Sequence, residues 1–249
     1  MKSSFVYGLW GIYSKKNNFW SRLSKCDNDI KLFKLNPYSP KAVVYIFGED
    51  NFKRMTDLGF DCRLVDKRPY VWDMETEQYR HKMEIWKCGT QDFDEISFLD
   101  WDCIAFKTIP ENFWSIIRYG EPIKASIWMY RQKRVNRPGD QRKVSSASFV
   151  YIRGKEHMDA MIKLWEETGR PLKEEYTLTL YIDNMSGGWK GIENYKKHDV
   201  PFYQMTPCYS DKKDLIFGHY NHRVVSHLLG DGKDVKLIKA RIDKMGINL

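Results

Sequence analysis

Two aspartates, Asp100 and Asp102, are the residues of this sequence whose type and spacing best suit chemistry. They follow residues 96–99, which are mostly apolar and β-prone, as expected of a buried strand. On an extended chain, side chains two residues apart point to the same face, so the two carboxylates are predicted to converge. Paired carboxylates are hard oxygen ligands that suit Mg²⁺ or Mn²⁺ bound to a substrate diphosphate. The pair is a candidate metal site, although a bare Asp-x-Asp is more often a pair of solvated turn residues.

The segments before this strand predict an α/β sheet. Residues 5–10 and 42–47 are apolar strand candidates, and residues 62–65 form a third strand after a short helix that ends at Gly59. Strand, helix and strand in this order form a βαβ unit, whose strands are parallel. Open α/β sheets bind ligands beyond the carboxyl ends of their strands, so the aspartates are expected at the ligand-binding edge. Residues 17–40 are predicted to be irregular.

Two predicted helices carry further candidates. The first covers about residues 74–88, with Gly89 as its stop. It places Lys82 at the edge of its apolar stripe, where the side chain either reaches a phosphate or extends to solvent. The second helix contains Glu175 and Asp183, and either carboxylate is a candidate general base for an acceptor hydroxyl.

The composition is that of a folded, basic protein. The 249 residues suffice for one α/β domain, hydrophobic residues make up 42%, and the formal net charge is +8. The positive charge favours a polyanionic partner or a diphosphate-bearing substrate. Five scattered cysteines argue for reduced thiols and against a zinc ribbon. With no bilayer-length apolar run and no signal-peptide pattern, a cytoplasmic location is expected, in the host cytoplasm if the protein is viral.

The predicted elements follow one another in this order along the chain: strand, loop, βαβ unit, lysine-bearing helix, a strand ending in Leu99-Asp100-Trp101-Asp102, and a late histidine. This order resembles that of GT-A glycosyltransferases, whose Asp-x-Asp motif binds the divalent cation under the diphosphate of a nucleotide sugar. The resemblance implies a single α/β domain with a Rossmann-type mixed, mostly parallel sheet flanked by helices, and Mn²⁺ or Mg²⁺ as cofactor. Residues 1–107 are expected to bind the nucleotide sugar and residues 108–233 the acceptor. Residues 234–249 are expected to form a terminal helix.

The resemblance also implies roles for individual residues. Asp102 would bind the metal directly, Asp100 would contact the metal or the donor ribose, and His219 or His222 would supply a further ligand. Lys82 would lie near the donor phosphates. Contacts to the nucleotide, expected to be UDP, come from the ends of the first two strands and from the motif itself: Leu9, Trp10, Gly11, Tyr13, Asp50, Asp100 and Trp101. The histidine segment lacks the His-Phe-x-Gly and Lys-Pro-Trp form of some retaining members, which leaves open which histidine acts and whether the enzyme retains or inverts.

The acceptor stays open between DNA and a glycan. The basic charge, the Arg/Lys-rich segment 131–143 and the aromatic residues Trp128, Tyr130 and Trp189 suit DNA with hydroxymethylated bases, the acceptor of sugar-adding bacteriophage enzymes. A base that leaves the duplex stacks on such rings. A surface glycan reached from the cytoplasmic face is the competing acceptor.

Three other classes of protein also stay open. A sugar nucleotidyltransferase shares the architecture, but its glycine-rich N-terminal loop with Arg is missing from residues 5–16. A nuclease could use the aspartate pair for two-metal hydrolysis. A non-catalytic nucleic-acid-binding module would explain the charge and leave the pair unused. The sequence names neither the sugar nor the oligomeric state.

Overall fold

The computed structural model of the protein describes residues 1–11, 20–69, 80–127, 145–168, 174–186, 197–204 and 215–219. The chain divides into two compact units. Unit 1 comprises Met1–Ile12, Ala42–Leu99 and Trp114–Val200, and unit 2 comprises Tyr13–Lys41, Asp100–Phe113 and Pro201–Leu249. The predicted functional halves 1–107 and 108–233 remain predictions, and the predicted terminal helix at 234–249 lies outside the described residues.

The described residues form two sheets and several helices. The strands are β1 (Ser3–Leu9), β2 (Ala42–Phe47), β3 (Asp61–Asp66), β4 (Glu95–Leu99), β5 (Cys103–Ala105), β6 (Ile123–Ile127), β7 (Ser145–Arg153), β8 (Tyr203–Gln204) and β9 (Phe217–His219). The helices are α1 (Trp20–Leu35), α2 (Glu49–Asp57), α3 (Arg80–Asp92), α4 (Phe113–Arg118), α5 (Glu156–Glu167) and α6 (Glu174–Ser186). Unit 1 holds the sheet β3-β2-β1-β4-β7-β6, and unit 2 holds the sheet β5-β9-β8.

The sheet of unit 1 is mixed, mostly parallel and flanked by helices, which confirms the predicted fold class. β3, β2, β1 and β4 run parallel, whereas β7 pairs antiparallel with both β4 and β6. Every residue of β4 is buried, as suits a central strand covered on both faces. Because parallel pairing brings the carboxyl ends of β1, β2 and β4 to one edge, the segments after Leu9, Phe47 and Leu99 all leave from that edge.

Helix α3 packs on this sheet through an apolar core. Trp86 of α3 meets Phe98 of β4 edge-to-face, with ring centroids 5.8 Å apart. The prediction that Gly89 ends the helix is wrong, because α3 continues to Asp92. A Cβ on Gly89 would lie only 3.1 Å from Ile96 Cδ1. The glycine therefore allows close approach of helix and sheet and does not act as a helix stop.

Unit 2 is built from helix α1 and its three-stranded sheet. The prediction that residues 17–40 are irregular is wrong, because α1 occupies most of that segment. Polar residues are interspersed with the apolar ones along this helix, and they obscured the pattern in the sequence although Ile30 and Leu32 are buried. Asn36, just after the helix, donates its side-chain amide to the carbonyl of Ala105 at 2.9 Å and so ties α1 to β5.

Among the described helices, none combines the length and the apolar character that spanning a bilayer requires.

Candidate active site

The two aspartates of the predicted metal site lie in a tight turn. β4 ends at Leu99, Asp100 follows it, and Trp101 and Asp102 form the turn that leads into β5. The Cys103 N–H closes the turn by donating to the Asp100 carbonyl at 2.9 Å. The expectation that both side chains project from an extended strand is therefore wrong, because the chain turns between them. Aspartate is a favoured residue at the first position of such a turn.

Trp101, the residue between the two acids, anchors this turn. Its side chain is buried, and its ring packs edge-to-face on Phe33 of α1 with centroids 5.5 Å apart. Such a pair fixes the indole in one orientation and with it the centre of the turn. Asp100 and Asp102 on either side are only half-buried, so each keeps part of its surface exposed. Contact between Trp101 and a nucleotide remains a prediction.

Backbone pairing brings His219 to the same turn. β9 runs antiparallel to β5, and His219 is the Cα partner of Cys103, the residue after Asp102. Two carboxylates and an imidazole form a donor set that Mn²⁺ accepts. Within the described ranges, no group of three His, Cys, Asp or Glu side chains is arranged to hold a metal ion. The side chain of His219 and the whole of His222 lie outside those ranges, so their metal roles remain predictions.

Asn51 joins the two segments that were predicted to bind the nucleotide. Its side-chain amide donates to the carbonyl of Phe47, the last residue of β2, at 2.9 Å and to the carbonyl of Gly11, beyond β1, at 3.1 Å. Asn51 is buried on the same face of α2 as Met55, one turn later. Sequence reasoning missed this residue, and the available signal was a polar side chain on the apolar face of a short amphipathic helix.

The predicted nucleotide contacts differ in exposure. Leu9 is buried at the end of β1, whereas Trp10 and Gly11 after it are half-buried. Asp50 is exposed in the first turn of α2, just beyond β2. Tyr13 lies outside the described residues. Trp10, Gly11 and Asp50 therefore retain surface that a ligand at this edge of unit 1 can reach, and their roles remain predictions.

Trp10 is held by packing on α3. Its ring lies against that of His81, with centroids 4.1 Å apart. Burial lowers the pKa of His81 well below its ordinary value, and the positive charge of Lys82 lowers it further. The imidazole is therefore neutral at pH 7, and it packs against the Trp10 indole as an uncharged ring. Gly8 leaves room for this arrangement, because a Cβ there would collide with the side chains of Ile85 and Trp10.

Lys82 is buried in an ion pair. Its Nζ lies 3.4 Å from Glu174 Oε1 and 3.5 Å from the carbonyl of Ala147, and it sits 5.6 Å from the centre of the Phe98 ring. Of the two predicted environments, extension to solvent is wrong, because the pair with Glu174 holds the ammonium group inside unit 1. Contact with a donor phosphate remains a prediction. Sequence reasoning singled out Glu175 and missed its neighbour Glu174, which is the carboxylate that meets the lysine.

The two candidate bases lie on α6, the helix predicted for this segment. Glu175 and Asp183 are both half-buried. They are eight positions apart, which corresponds to about 12 Å along a helix axis. They are therefore too far apart to act on the same hydroxyl, and at most one of them is the base. A role for Glu175 or Asp183 as the general base remains a prediction.

Comparison with known proteins gives likenesses of structure only. No family model and no curated protein sequence matches the chain. A glycosyltransferase involved in the glycosylation of the major capsid of PBCV-1 is 12% identical, with 100% of each chain covered and a TM-score of 0.46. Mouse xyloside xylosyltransferase 1 in its apo form is 8% identical, with 89% of this chain and 99% of that chain covered and a TM-score of 0.46.

The apo-form glycosyltransferase GlyE of Streptococcus pneumoniae TIGR4 is 12% identical, with a TM-score of 0.44. All of this chain is covered in that comparison, and it spans 65% of the GlyE chain. All three TM-scores are below 0.5.

Proposed function

We propose that the protein is a metal-dependent glycosyltransferase, which moves a sugar from a nucleoside diphosphate sugar, expected to be a UDP-sugar, to a hydroxyl acceptor. The Asp100–Cys103 turn carries this proposal. It places two half-exposed carboxylates directly after a central strand, beside a strand whose His219 pairs with Cys103. Ligands of open α/β sheets bind where those strands end.

The donor set of this turn suits a hard divalent cation. Asp100 and Asp102 would hold Mn²⁺ or Mg²⁺, with His219 as a third ligand. When bound, such a cation offsets the negative charge that develops on the leaving nucleoside diphosphate. Trp101 holds the turn in place through its buried contact with Phe33, so the carboxylates need little reorganisation before a cation binds.

Residues at the ends of β1 and β2 would hold the nucleotide. Asn51 fixes the carbonyl of Gly11 and so limits the movement of the segment that leaves β1. Trp10 packs on His81 with one face, is half-exposed, and offers an aromatic surface to a base. Lys82, which was predicted to lie near the donor phosphates, would have to leave its ion pair with Glu174 to contact them.

DNA with hydroxymethylated bases is the acceptor that we propose to test first, with a glycan as the alternative. The formal net charge of +8 supports a polyanion, because Lys and Arg bind phosphates of any sequence. Trp128, Tyr130, Trp189 and the segment 131–143, which were predicted to contact DNA, lie outside the described residues. Glu175 or Asp183 would be the acceptor's base if the reaction inverts configuration.

Release of UDP from UDP-sugars tests the donor half of this proposal. The protein is incubated with a panel of UDP-sugars, with Mn²⁺ and with a chelator. We expect release that requires the metal and falls to background in Asp102→Asn. The matched control is Asp159→Asn, which removes an exposed carboxylate on α5 and should leave the release unchanged. Equal release with the chelator, or full release by Asp102→Asn, would contradict the proposal.

Mass spectrometry of candidate acceptors tests the other half. Oligonucleotides with and without 5-hydroxymethylcytosine, and a set of glycans, are incubated with the donor found above. A gain of one hexose or pentose mass only on the hydroxymethylated strand supports DNA, and a gain only on a glycan replaces DNA as acceptor. Cleavage of the oligonucleotide without a donor points to a nuclease and overturns the proposal.

A further inference from the structure

Cys103 is a second residue, besides Trp101, that ties the Asp100–Cys103 turn to the rest of unit 2. Its N–H closes the turn on Asp100, and its Cα pairs with that of His219 on β9. Its thiol, which is buried, donates a hydrogen bond to the hydroxyl oxygen of Tyr203 at 3.8 Å. The residue that follows Asp102 is therefore held by a backbone bond, a strand pairing and a side-chain contact.

Tyr203 reaches this thiol from the far strand of the sheet. It lies on β8, which pairs parallel with β9 and not with β5, and it is 0% exposed. A phenylalanine would fill the same apolar space without placing a hydroxyl there, and a buried hydroxyl needs a partner. The Tyr203 hydroxyl finds that partner in the residue next to Asp102.

The charges of both aspartates act on the same hydroxyl. Burial raises the pKa of Tyr203 well above its ordinary value, and Cys103, Asp102 and Asp100 raise it further. The phenol is therefore neutral at any ordinary pH and keeps its hydrogen bond with the thiol.

We propose that Tyr203, acting through Cys103, is a positioning residue that holds Asp100 and Asp102 in the geometry a divalent cation needs. The inference rests on the proposed function only in taking that cation as the ligand of the turn. Tyr203 would contact neither the donor nor the cation. Its effect is to restrict the turn, in the way that outer partners of metal ligands raise metal affinity by fixing the ligands' orientation.

The direct test is the Mn²⁺ affinity of Tyr203→Phe. Free Mn²⁺ is measured by electron paramagnetic resonance during a titration of the protein with UDP present. We expect the dissociation constant for Mn²⁺ to rise about tenfold, at the lower end of the effects seen for residues that orient metal ligands. The activity should recover toward the wild-type kcat at saturating Mn²⁺, because the aspartates themselves are unchanged. An unchanged dissociation constant would overturn the inference.

Tyr151→Phe is the matched control for general loss of stability. It removes another buried tyrosine hydroxyl, one that donates to Glu95 at the opposite end of β4. We expect it to lower the melting temperature without a change in Mn²⁺ affinity. If Tyr151→Phe and Tyr203→Phe weaken Mn²⁺ binding equally, the effect is one of stability and the inference fails.

Variants of Cys103 test whether the effect passes through the thiol. Cys103→Ala removes the thiol, so its Mn²⁺ affinity should match that of Tyr203→Phe. The double variant with Cys103→Ala and Tyr203→Phe should bind Mn²⁺ as tightly as the single variant with the lower Mn²⁺ affinity, because both substitutions remove the same bond. Additive losses would contradict the route through Cys103.

The outcomes separate this inference from the proposed function. If the wild-type protein binds Mn²⁺ but releases no UDP from any sugar donor, the transferase proposal fails, and the affinities of the tyrosine variants still decide the role of Tyr203. If the wild-type protein does not bind Mn²⁺ with UDP present, there is no cation to position and the inference is overturned.

Discussion

The two ends of β4 carry acidic residues in contrasting environments. At the amino end, Glu95 is fully buried among partners in unit 1. At the carboxyl end, Asp100 and Asp102 follow the strand in a turn of unit 2 and are half-buried. The carboxylate at the amino end of β4 therefore stabilises the fold, whereas the carboxylates at the carboxyl end remain accessible to a ligand. The position of an acid along a strand distinguishes the two roles better than its type does.

The cluster around Glu95 compensates its charge inside the protein. Arg118 Nε donates to Glu95 Oε2 at 3.0 Å, and the Tyr151 hydroxyl donates to the same oxygen at 2.7 Å. The Ser3 hydroxyl and the second guanidinium nitrogen of Arg118 donate to Oε1. Burial on its own would raise the pKa of Glu95, but these hydrogen bonds outweigh it and lower the pKa below its ordinary value. A carboxylate with this many donors is part of the fold.

The largest effect on activity is expected at the carboxyl end. Asp102→Asn keeps the shape of the side chain and removes its charge, so metal-assisted release of UDP should fall by about a hundredfold or more. The melting temperature of the metal-free protein should stay near that of wild type, because Asp102 is half-exposed. Initial rates and thermal melts of the same preparations check both parts. A large loss of stability in Asp102→Asn would remove the contrast between the two ends.

The opposite behaviour is expected at the amino end. Glu95→Gln leaves the Arg118 guanidinium without its carboxylate. Because the Arg118 side chain is 32% exposed, solvent compensates part of this loss, and the unfolding free energy should fall by about 2 kcal/mol. The rate of UDP release per folded molecule should not change. Urea denaturation followed by circular dichroism measures the first quantity. If Glu95→Gln unfolds at the same urea concentration as wild type, the Glu95 cluster does not stabilise the fold.

The pH dependence of stability sharpens the same contrast. Because the pKa of Glu95 in the folded protein lies below its ordinary value of 4.5, the ionised carboxylate stabilises the fold above that pH. This contribution is lost as the pH falls from 4.5 toward the lowered value. We expect the wild-type unfolding free energy to fall more steeply than that of Glu95→Gln over this window, as measured by urea titrations at successive pH values. Parallel curves would contradict the assignment.

The smallest expected effect is that of Asn51→Ala, which acts on the predicted nucleotide-binding segments. Losing the bond to Gly11 frees the segment after β1, so the KM for the donor should rise by about fivefold, corresponding to one ordinary hydrogen bond. The kcat should change little, because no reacting group is altered. Steady-state kinetics with the best UDP-sugar check this. A fall in kcat with an unchanged KM would contradict a role of Asn51 in donor binding.

Much of the sheet could be predicted from the sequence, because its signals are local. β2 was bounded correctly by its run of apolar residues and by Gly48, which has a φ of +94°. Gly89 was misassigned because its role depends on Ile96, a contact that no short window of sequence reveals. Helix α1 was missed because the polar residues along it weaken the apolar period.

The candidate site divides in the same way. Asp100 and Asp102 were found because a motif of adjacent residues marks them, although the turn between them was not foreseen. Asn51, Glu174 and Tyr203 were missed, because each is defined by a partner distant in sequence. Local sequence patterns identify charged residues that can contact a ligand. The residues that position them are identified only from the folded structure.

The most direct test of the central claim is the affinity for UDP with and without Mn²⁺, measured by isothermal titration calorimetry. If a cation joins the Asp100–Cys103 turn to the donor diphosphate, Mn²⁺ should tighten UDP binding by about tenfold or more in the wild-type protein, within the usual range of coupling between two ligands. The same gain should vanish in Asp102→Asn. A UDP affinity that is indifferent to Mn²⁺, or a gain that survives in Asp102→Asn, would contradict the claim.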